Sequence, residues 1–271
     1  MDGCSLVSQR VLLLGANGFI GKQLLSCLEK NYDVLELDRK SGTFDIELAQ
    51  SNPDVVINCS ASSPDAGFFE SINANILFQM NCLKTISKAK TSSFKWVQVG
   101  SYFELQIVHG RKDHYSVHKA LCRKLLLEAA TDGLIDLTTI FLPHIYGVGE
   151  KSSRIIPYLK SQFQKSEVAS ISSGGQYLPI LSLDDAVTAI RAAIHSNQIE
   201  CSATPVWHGK VIELANSIQE QMGSGFLTSD SMNISKDATF PPTSFPPQVE
   251  DWEPKVQFTD FLKSLTTREV L

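Results

Sequence analysis

An α/β fold, with a doubly wound parallel sheet and a small C-terminal α/β cap, is predicted by three features of this sequence. An apolar strand-like run, Arg10 to Leu14, leads through Gly15-Ala16-Asn17-Gly18-Phe19-Ile20-Gly21 into a helical pattern with Leu24, Leu25 and Leu28 on one side. Short apolar strands then alternate with helical patterns up to about residue 141, which implies right-handed crossovers and parallel pairing. Beyond Gly147 the alternation gives way to a mixed pattern. The expected division is a domain over 1–147 with a returning segment near 168–195, and a cap mainly over 148–271.

In order, strands are expected near 10–14, 34–37, 43–46, 54–58, 95–99 and 137–141, with helices over roughly 20–30, 69–90 and 114–131 between them. The cap should hold a helix from Arg154 to Gln164, a strand pair around Gly174-Gly175, and helices at 184–195 and 210–222. The stretch 223–254 reads as loop, because Pro241-Pro242 and Pro246-Pro247 exclude regular helix.

Strand, glycine turn and helix arrive in the order that a dinucleotide site needs. The glycines allow a tight turn and a close approach to a pyrophosphate, whose charge then sits at a helix N-terminus. The spacing here is G-x-x-G-x-x-G, one residue wider than the common fingerprint. The second strand, Asp33 to Leu37, ends at Asp38, where a carboxylate can accept hydrogen bonds from ribose hydroxyls. Arg39 and Lys40 follow at once and suit the 2′-phosphate of NADP, so the expectation is use of either NAD(P)H form. In His114-Tyr115-Ser116-Val117-His118-Lys119 the four-residue spacing sets Tyr115 and Lys119 one turn apart on a helix face. An ammonium beside a phenol stabilises the phenolate, which lets such a tyrosine pass a proton near neutral pH. His114 and His118 share that spacing without a third ligand, so no metal is expected.

These residues resemble the extended short-chain dehydrogenase/reductases, the NAD-dependent epimerase/dehydratase family that acts on nucleotide-activated sugars, and the resemblance covers most of the chain. Besides the glycine turn, Phe44-Asp45-Ile46 looks like the adenine-contacting Asp after the family's third strand, and Pro53 to Ala61, with Cys59 and Ser60, like its fourth strand and cofactor loop. Asn75 to Leu83 resembles the helix bearing a structural Asn, and Phe94 to Ser101 the fifth strand ending at the catalytic Ser/Thr. Ile145 to Gly149, Leu181 to Ala186 and Asp251 to Pro254 are similar to three later family elements. The resemblance implies a Rossmann domain with Ser101, Tyr115 and Lys119 as catalytic residues. It implies cofactor contacts at Gly15, Asn17, Gly18, Phe19, Ile20, Gly21, Asp38, Arg39, Asp45, Ile46, Cys59, Ser60, Ala61, Asn75, Pro143 and His144, with Tyr115 and Lys119 shared. Substrate contacts are implied at Ser101, Tyr102, Phe103, Tyr115, His144 and Arg154.

Several departures bear on the reaction. Dehydratases of the family usually carry Asp-Glu directly after the catalytic Ser/Thr, where this chain has Tyr102 and Phe103, leaving Glu104 as the nearby carboxylate. Phe141 and His144 stand where sugar-nucleotide epimerases tend to have Arg and Asn, and Leu178 where an Arg usually contacts a diphosphate, with Lys151, Arg154 and Lys160 as substitutes. A short chain with a compact cap resembles the 4-keto-6-deoxyhexose nucleotide reductases. The leading expectation is therefore NAD(P)H-dependent reduction of a nucleotide-activated 4-keto-6-deoxy sugar. The alternatives are an NAD-dependent sugar-nucleotide epimerase, or a non-catalytic NAD(P)-binding regulatory subunit.

Composition agrees with an enzyme of ordinary globular type. The chain has 271 residues, 43% hydrophobic and 20% charged, enough for one large core and a small appendage. A net charge of -5 without a basic cluster argues against nucleic acid. Six scattered cysteines suggest neither a zinc site nor a disulfide framework and fit a reducing cytoplasm. No run approaches the ~20 apolar residues of a membrane span, so no membrane partner is expected. Dimerisation through the two long helices would fit the family.

Overall fold

The computed structural model describes residues 9–37, 39–109, 113–229 and 245–266. The first half runs β1 (Arg10–Leu14), α1 (Phe19–Leu28), β2 (Asp33–Glu36), α2 (Phe44–Gln50), β3 (Val55–Asn58), α3 (Phe68–Ile72), a π-helical turn (Asn73–Leu77), α4 (Phe78–Ala89) and β4 (Phe94–Ser101). Then come α5 (Tyr102–Leu105), a 3₁₀ turn (Gln106–His109), α6 (His114–Thr131), β5 (Ile135–Leu142), β6 (His144–Tyr146), α7 (Ile155–Gln164) and β7 (Val168–Ile171). The chain continues with β8 (Tyr177–Ser182), α8 (Leu183–Ala193), β9 (Glu200–Ser202), β10 (Trp207–Lys210), α9 (Val211–Met222), β11 (Phe226–Ser229) and α10 (Phe258–Ser264).

The main sheet has six strands in the order β2-β1-β3-β4-β5-β9, every pair parallel. Its strands are apolar on both faces because helices cover both. Val11, Leu13, Val55, Ile57, Val97 and Val99 pack toward α1 and α8. Their neighbours Leu12, Leu14, Val56 and Trp96 pack toward α2, α4 and α6. The strand order reverses direction between β1 and β3, and in open parallel sheets the crevice beyond the strand ends at that point receives ligands.

A separate apolar cluster joins α7, β7, β8, α9 and α10 through Ile156, Phe163, Ala169, Ile180, Leu214 and Phe261. Two small sheets support it, β10-β8-β6 and β11-β7. The segment after residue 245 is fastened to α8: the Asp185 carboxylate accepts the N–H groups of Lys255 at 2.9 Å and Val256 at 3.1 Å, and Trp252 Nε1 donates to Thr188 Oγ1 at 2.9 Å.

Four local expectations are corrected. Residues 43–46 are not a strand but the start of α2, since Phe44 and Leu48 bury one face at helical spacing and Asp45 and Glu47 lie in the first turn, where negative charge suits the helix dipole. The helix expected over 69–90 is interrupted by the π turn. Strands do flank Gly174-Gly175, but they do not pair with each other: β7 pairs with β11, and β8 with β6 and β10. The stretch read as loop contains β11, and Gln248 within it bridges Ser202; Pro241 and Pro242 lie outside the described residues.

Candidate active site

The glycine turn builds the floor of a cavity of about 840 Å³, lined by Gly15, Asn17, Gly18, Arg39, Ser60 and Ala61 among others. Gly15 has φ +85°, and a Cβ there would lie 2.8 Å from the Ser60 amide nitrogen; at Gly21 it would lie 2.1 Å from the Gly15 carbonyl oxygen. Both positions therefore require glycine. Helix α1 begins after Gly18 with no side-chain cap, so its first N–H groups and dipole suit a pyrophosphate. Phe19 and Ile20, in that first turn, turn their side chains onto the core beneath. These features fit a dinucleotide.

Other expected cofactor residues distribute unevenly. Arg39 lines the cavity with its guanidinium 5.2 Å from the Phe78 ring centre. Asp38 lies outside the described residues. Asp45 and Ile46 are exposed on α2 and do not line the cavity, whereas their neighbour Phe44 does. Cys59 lines it, and burial pushes its thiol up to about 12 against the pull of Lys119, which leaves no reactive thiolate. Asn75 is fully buried in the π turn; its Oδ1 accepts the Ser62 N–H at 3.1 Å and its Nδ2 donates to Ser62 Oγ at 2.8 Å and Ser71 Oγ at 3.0 Å. It thus clamps the loop that follows β3. Glu36, Phe44 and Phe78 also line the cavity; the first two lie in segments singled out for Asp38 and Asp45, and that they rather than Asp45 reach the cavity depends on how α2 and α4 pack beside β1.

Lys119 and Tyr115 lie together on α6, and Lys119 reaches across to β4, the strand that ends at Ser101. Ser101 is the N-cap of α5, its Oγ accepting the Phe103 N–H at 3.3 Å. Asp113 caps α6 by accepting the Ser116 N–H at 2.9 Å, which starts the helix one residue before Tyr115. Lys119 is buried, donates from Nζ to the Val99 carbonyl at 2.8 Å, and sits 5.7 Å from the centre of the Tyr115 ring. Burial alone would lower the Lys119 ammonium, but Tyr115, Glu104 and the nearby thiols together hold it above the usual lysine range. The lysine is a fixed cation beside the phenol.

Of the expected substrate residues, Tyr102 is buried with its hydroxyl donating to the Tyr177 carbonyl at 3.4 Å, and Phe103 packs on it with ring centres 4.4 Å apart. Pro143 is buried between β5 and β6. His144, on β6, and Arg154, the N-cap of α7, meet over Glu150. A guanidinium only donates, so His144 Nδ1 accepts from Arg154 Nη2 at 3.0 Å and its Nε2–H donates to Glu150 Oε1 at 3.2 Å. Burial pulls the His144 imidazole below the usual histidine range, Arg154 adding to this and the Glu150 hydrogen bond opposing it. Glu150 was not expected here; it lies in a glycine-flanked loop whose course only the tertiary fold sets.

The sequence model of the NAD dependent epimerase/dehydratase family matches residues 11–202. The chain is 24% identical over 262 residues to the CDP-abequose synthase of Yersinia pseudotuberculosis, covering 82% of this chain and 90% of that one. Among solved structures it is similar to RMD from Pseudomonas aeruginosa complexed with NADPH, with a TM-score of 0.75 at 16% identity, covering 95% of this chain and 98% of that one. It is also similar to the UDP-glucuronic acid 4-epimerase from Bacillus cereus in complex with UDP-glucuronic acid and NAD, with a TM-score of 0.75 at 17% identity and coverage of 94% and 97%. Among the described residues no helix is long and apolar enough to cross a membrane.

Proposed function

Because the chain belongs to the NAD dependent epimerase/dehydratase family, we propose that it is a reductase that converts the keto group of a nucleotide-activated 4-keto-6-deoxy sugar to a hydroxyl with NAD(P)H, using Tyr115 as proton donor. The observation that carries this reading is the buried Lys119 ammonium, set beside the Tyr115 ring and bonded to the strand that ends in Ser101. The likeness to CDP-abequose synthase supports the substrate class.

A bound reduced nicotinamide supplies the hydride for the carbonyl carbon. Tyr115 gives its phenolic proton to the carbonyl oxygen as negative charge develops there, and the Ser101 hydroxyl donates a hydrogen bond to the same oxygen. Both interactions strengthen along the reaction, so they raise the rate rather than only the affinity. The carbonyl gains one hydride and one proton, and solvent returns the proton to Tyr115. Lys119 stabilises the transient phenolate and binds ribose hydroxyls. Arg154, held by Glu150 and His144, is the cation for the substrate diphosphate. Exposed Leu77, Leu121 and Leu125 on the helical face that carries α4 and α6 support a homodimer.

The test is the absorbance of NADPH and then NADH in the presence of dTDP-, CDP- and GDP-linked 4-keto-6-deoxyhexoses. Oxidation with one sugar is expected, and names substrate and cofactor together. No oxidation with any of them, but tightly held NAD in the purified protein, assigns an epimerase instead; neither result leaves a regulatory cofactor-binding protein.

A further inference from the structure

A second charged cluster lies behind the reacting groups, and the proton and hydride steps leave it unused. Glu104, three residues beyond Ser101, has a side chain only 2% exposed. Its Oε1 accepts the Ser101 N–H at 2.8 Å, closing a capping box with the Ser101 hydroxyl. Its Oε2 faces Arg123 Nε at 3.7 Å, beyond hydrogen-bond range, and that nitrogen is buried without a hydrogen-bond partner. The other end of Arg123 pairs with Glu200 on β9, and its guanidinium carbon lies 5.4 Å from the Phe141 ring centre. Arg123 follows Lys119 by one helical turn and Tyr115 by two, on the same face of α6.

A capping box needs only an acceptor at this position, and glutamine provides one without burying a charge. Burying a carboxylate is costly unless cations compensate it. Here Lys119 and Arg123 oppose that cost without cancelling it, burial still holding the Glu104 carboxyl above the usual carboxylate range. Lys119 is also bonded to the Val99 carbonyl, two residues before the Ser101 amide that Glu104 holds. We propose that Glu104 and Arg123 are positioning residues of the Ser101–Tyr115–Lys119 site, the carboxylate fixing the turn that presents Ser101 and balancing the Lys119 charge, and the guanidinium holding the carboxylate in place. This deepens the reductase reading and rests on it. The groups facing Glu104 are Lys119 and Arg123 from α6 and Glu200 from β9; those facing Lys119 are Tyr115, Glu104, Cys122 and Cys59.

The test is a pH titration of the lysine side chains by NMR on the full chain carrying ¹³C at lysine Cε, with Lys119→Arg identifying the Lys119 signal. Glu104→Gln keeps the capping acceptor and removes the charge, and is expected to move the Lys119 midpoint down by about one pH unit. Arg123→Gln, which frees the carboxylate to act on Lys119 alone, is expected to move it up. On the sugar that the wild type reduces, Glu104→Gln should lower kcat by about tenfold, a loss typical of disturbed acid–base geometry, with KM changed less than twofold. A Lys119 midpoint unmoved in both folded variants would overturn the proposal and leave Glu104 as a helix cap. If Glu104→Gln does not fold, an unmoved midpoint in Arg123→Gln overturns it alone. The titration needs no sugar, so a responsive Lys119 in a protein that reduces none of the panel supports the pairing while the reductase reading fails separately.

Discussion

Tyr115 and Lys119 share one helix face, but the reason they form a site is that Lys119 is anchored to the Val99 carbonyl. A free lysine would swing toward solvent; this one is buried and fixed. Tyr115→Phe removes only the phenolic oxygen, so NAD(P)H affinity, read by nicotinamide fluorescence, should stay within about twofold. Turnover should fall by about 10²–10⁴-fold, the worth of a positioned proton donor, and retained turnover would refute the assignment. His144 makes a different prediction. Its folded pKa lies below the unfolded value of about 6.5, so between the two the unfolded chain binds more protons. Stability is then fully present above that value and is lost as pH falls through the folded pKa. His118, lowered by burial and then by His114, acts in the same direction. Melting temperatures measured from pH 8 down to pH 5 should fall, and His144→Gln should show a shallower fall; an unchanged slope would remove His144 from the account.

The element that decides cofactor binding is the turn from β1 into α1. Its amphipathic helix and apolar strand would form with many turn sequences, yet the backbone reaches φ +85° at Gly15 and leaves no space for a Cβ against Ser60. Gly15→Ala should weaken NAD(P)H binding more than tenfold, because left-handed strain and a displaced β3 loop both act on the pyrophosphate cradle. Titration by fluorescence checks this, and affinity equal to wild type would place the cofactor elsewhere. The π turn at Asn73–Leu77 is the other such element. Its extra residue per turn swings Asn75 inward to hold Ser62 and Ser71. Leucine and isoleucine spacing over 69–90 reads as one unbroken helix, since a π turn changes the register without changing composition.

In the whole molecule, the cores on the two faces of the main sheet are distinct from the cluster around Phe163. Phe163 is fully buried between α7 and its neighbours, so Phe163→Ala should cost about 3–5 kcal/mol in urea denaturation. Fluorescence titration should still find near-normal NAD(P)H affinity under native conditions, because the dinucleotide cavity is lined from the other cores. Equal loss of cofactor affinity would show that the two regions form one cooperative unit at the site.

Much of this architecture was legible in the chain because it rests on local rules. Continuous apolar strands, the glycine turn and the Tyr115–Lys119 spacing are written in consecutive residues, and they sufficed for the parallel α/β class and for singling out Tyr115 and Lys119, while Ser101 came from the family resemblance. The strand expected over 43–46 is a helix because so short a stretch, with Phe44 and Ile46 flanking Asp45, does not separate strand from helix, and only the burial of Phe44 with Leu48 resolved it. Glu104 with Arg123, and Glu150 with His144 and Arg154, were beyond reach for another reason. Their partners come from different elements, and a buried charge is tolerable only where the assembled fold brings the opposite charge to it. Local pattern therefore determined the parallel α/β class, the glycine turn and the Tyr115–Lys119 spacing, while the packing of α6 and α7 against the sheet ends decided the electrostatic setting of those side chains.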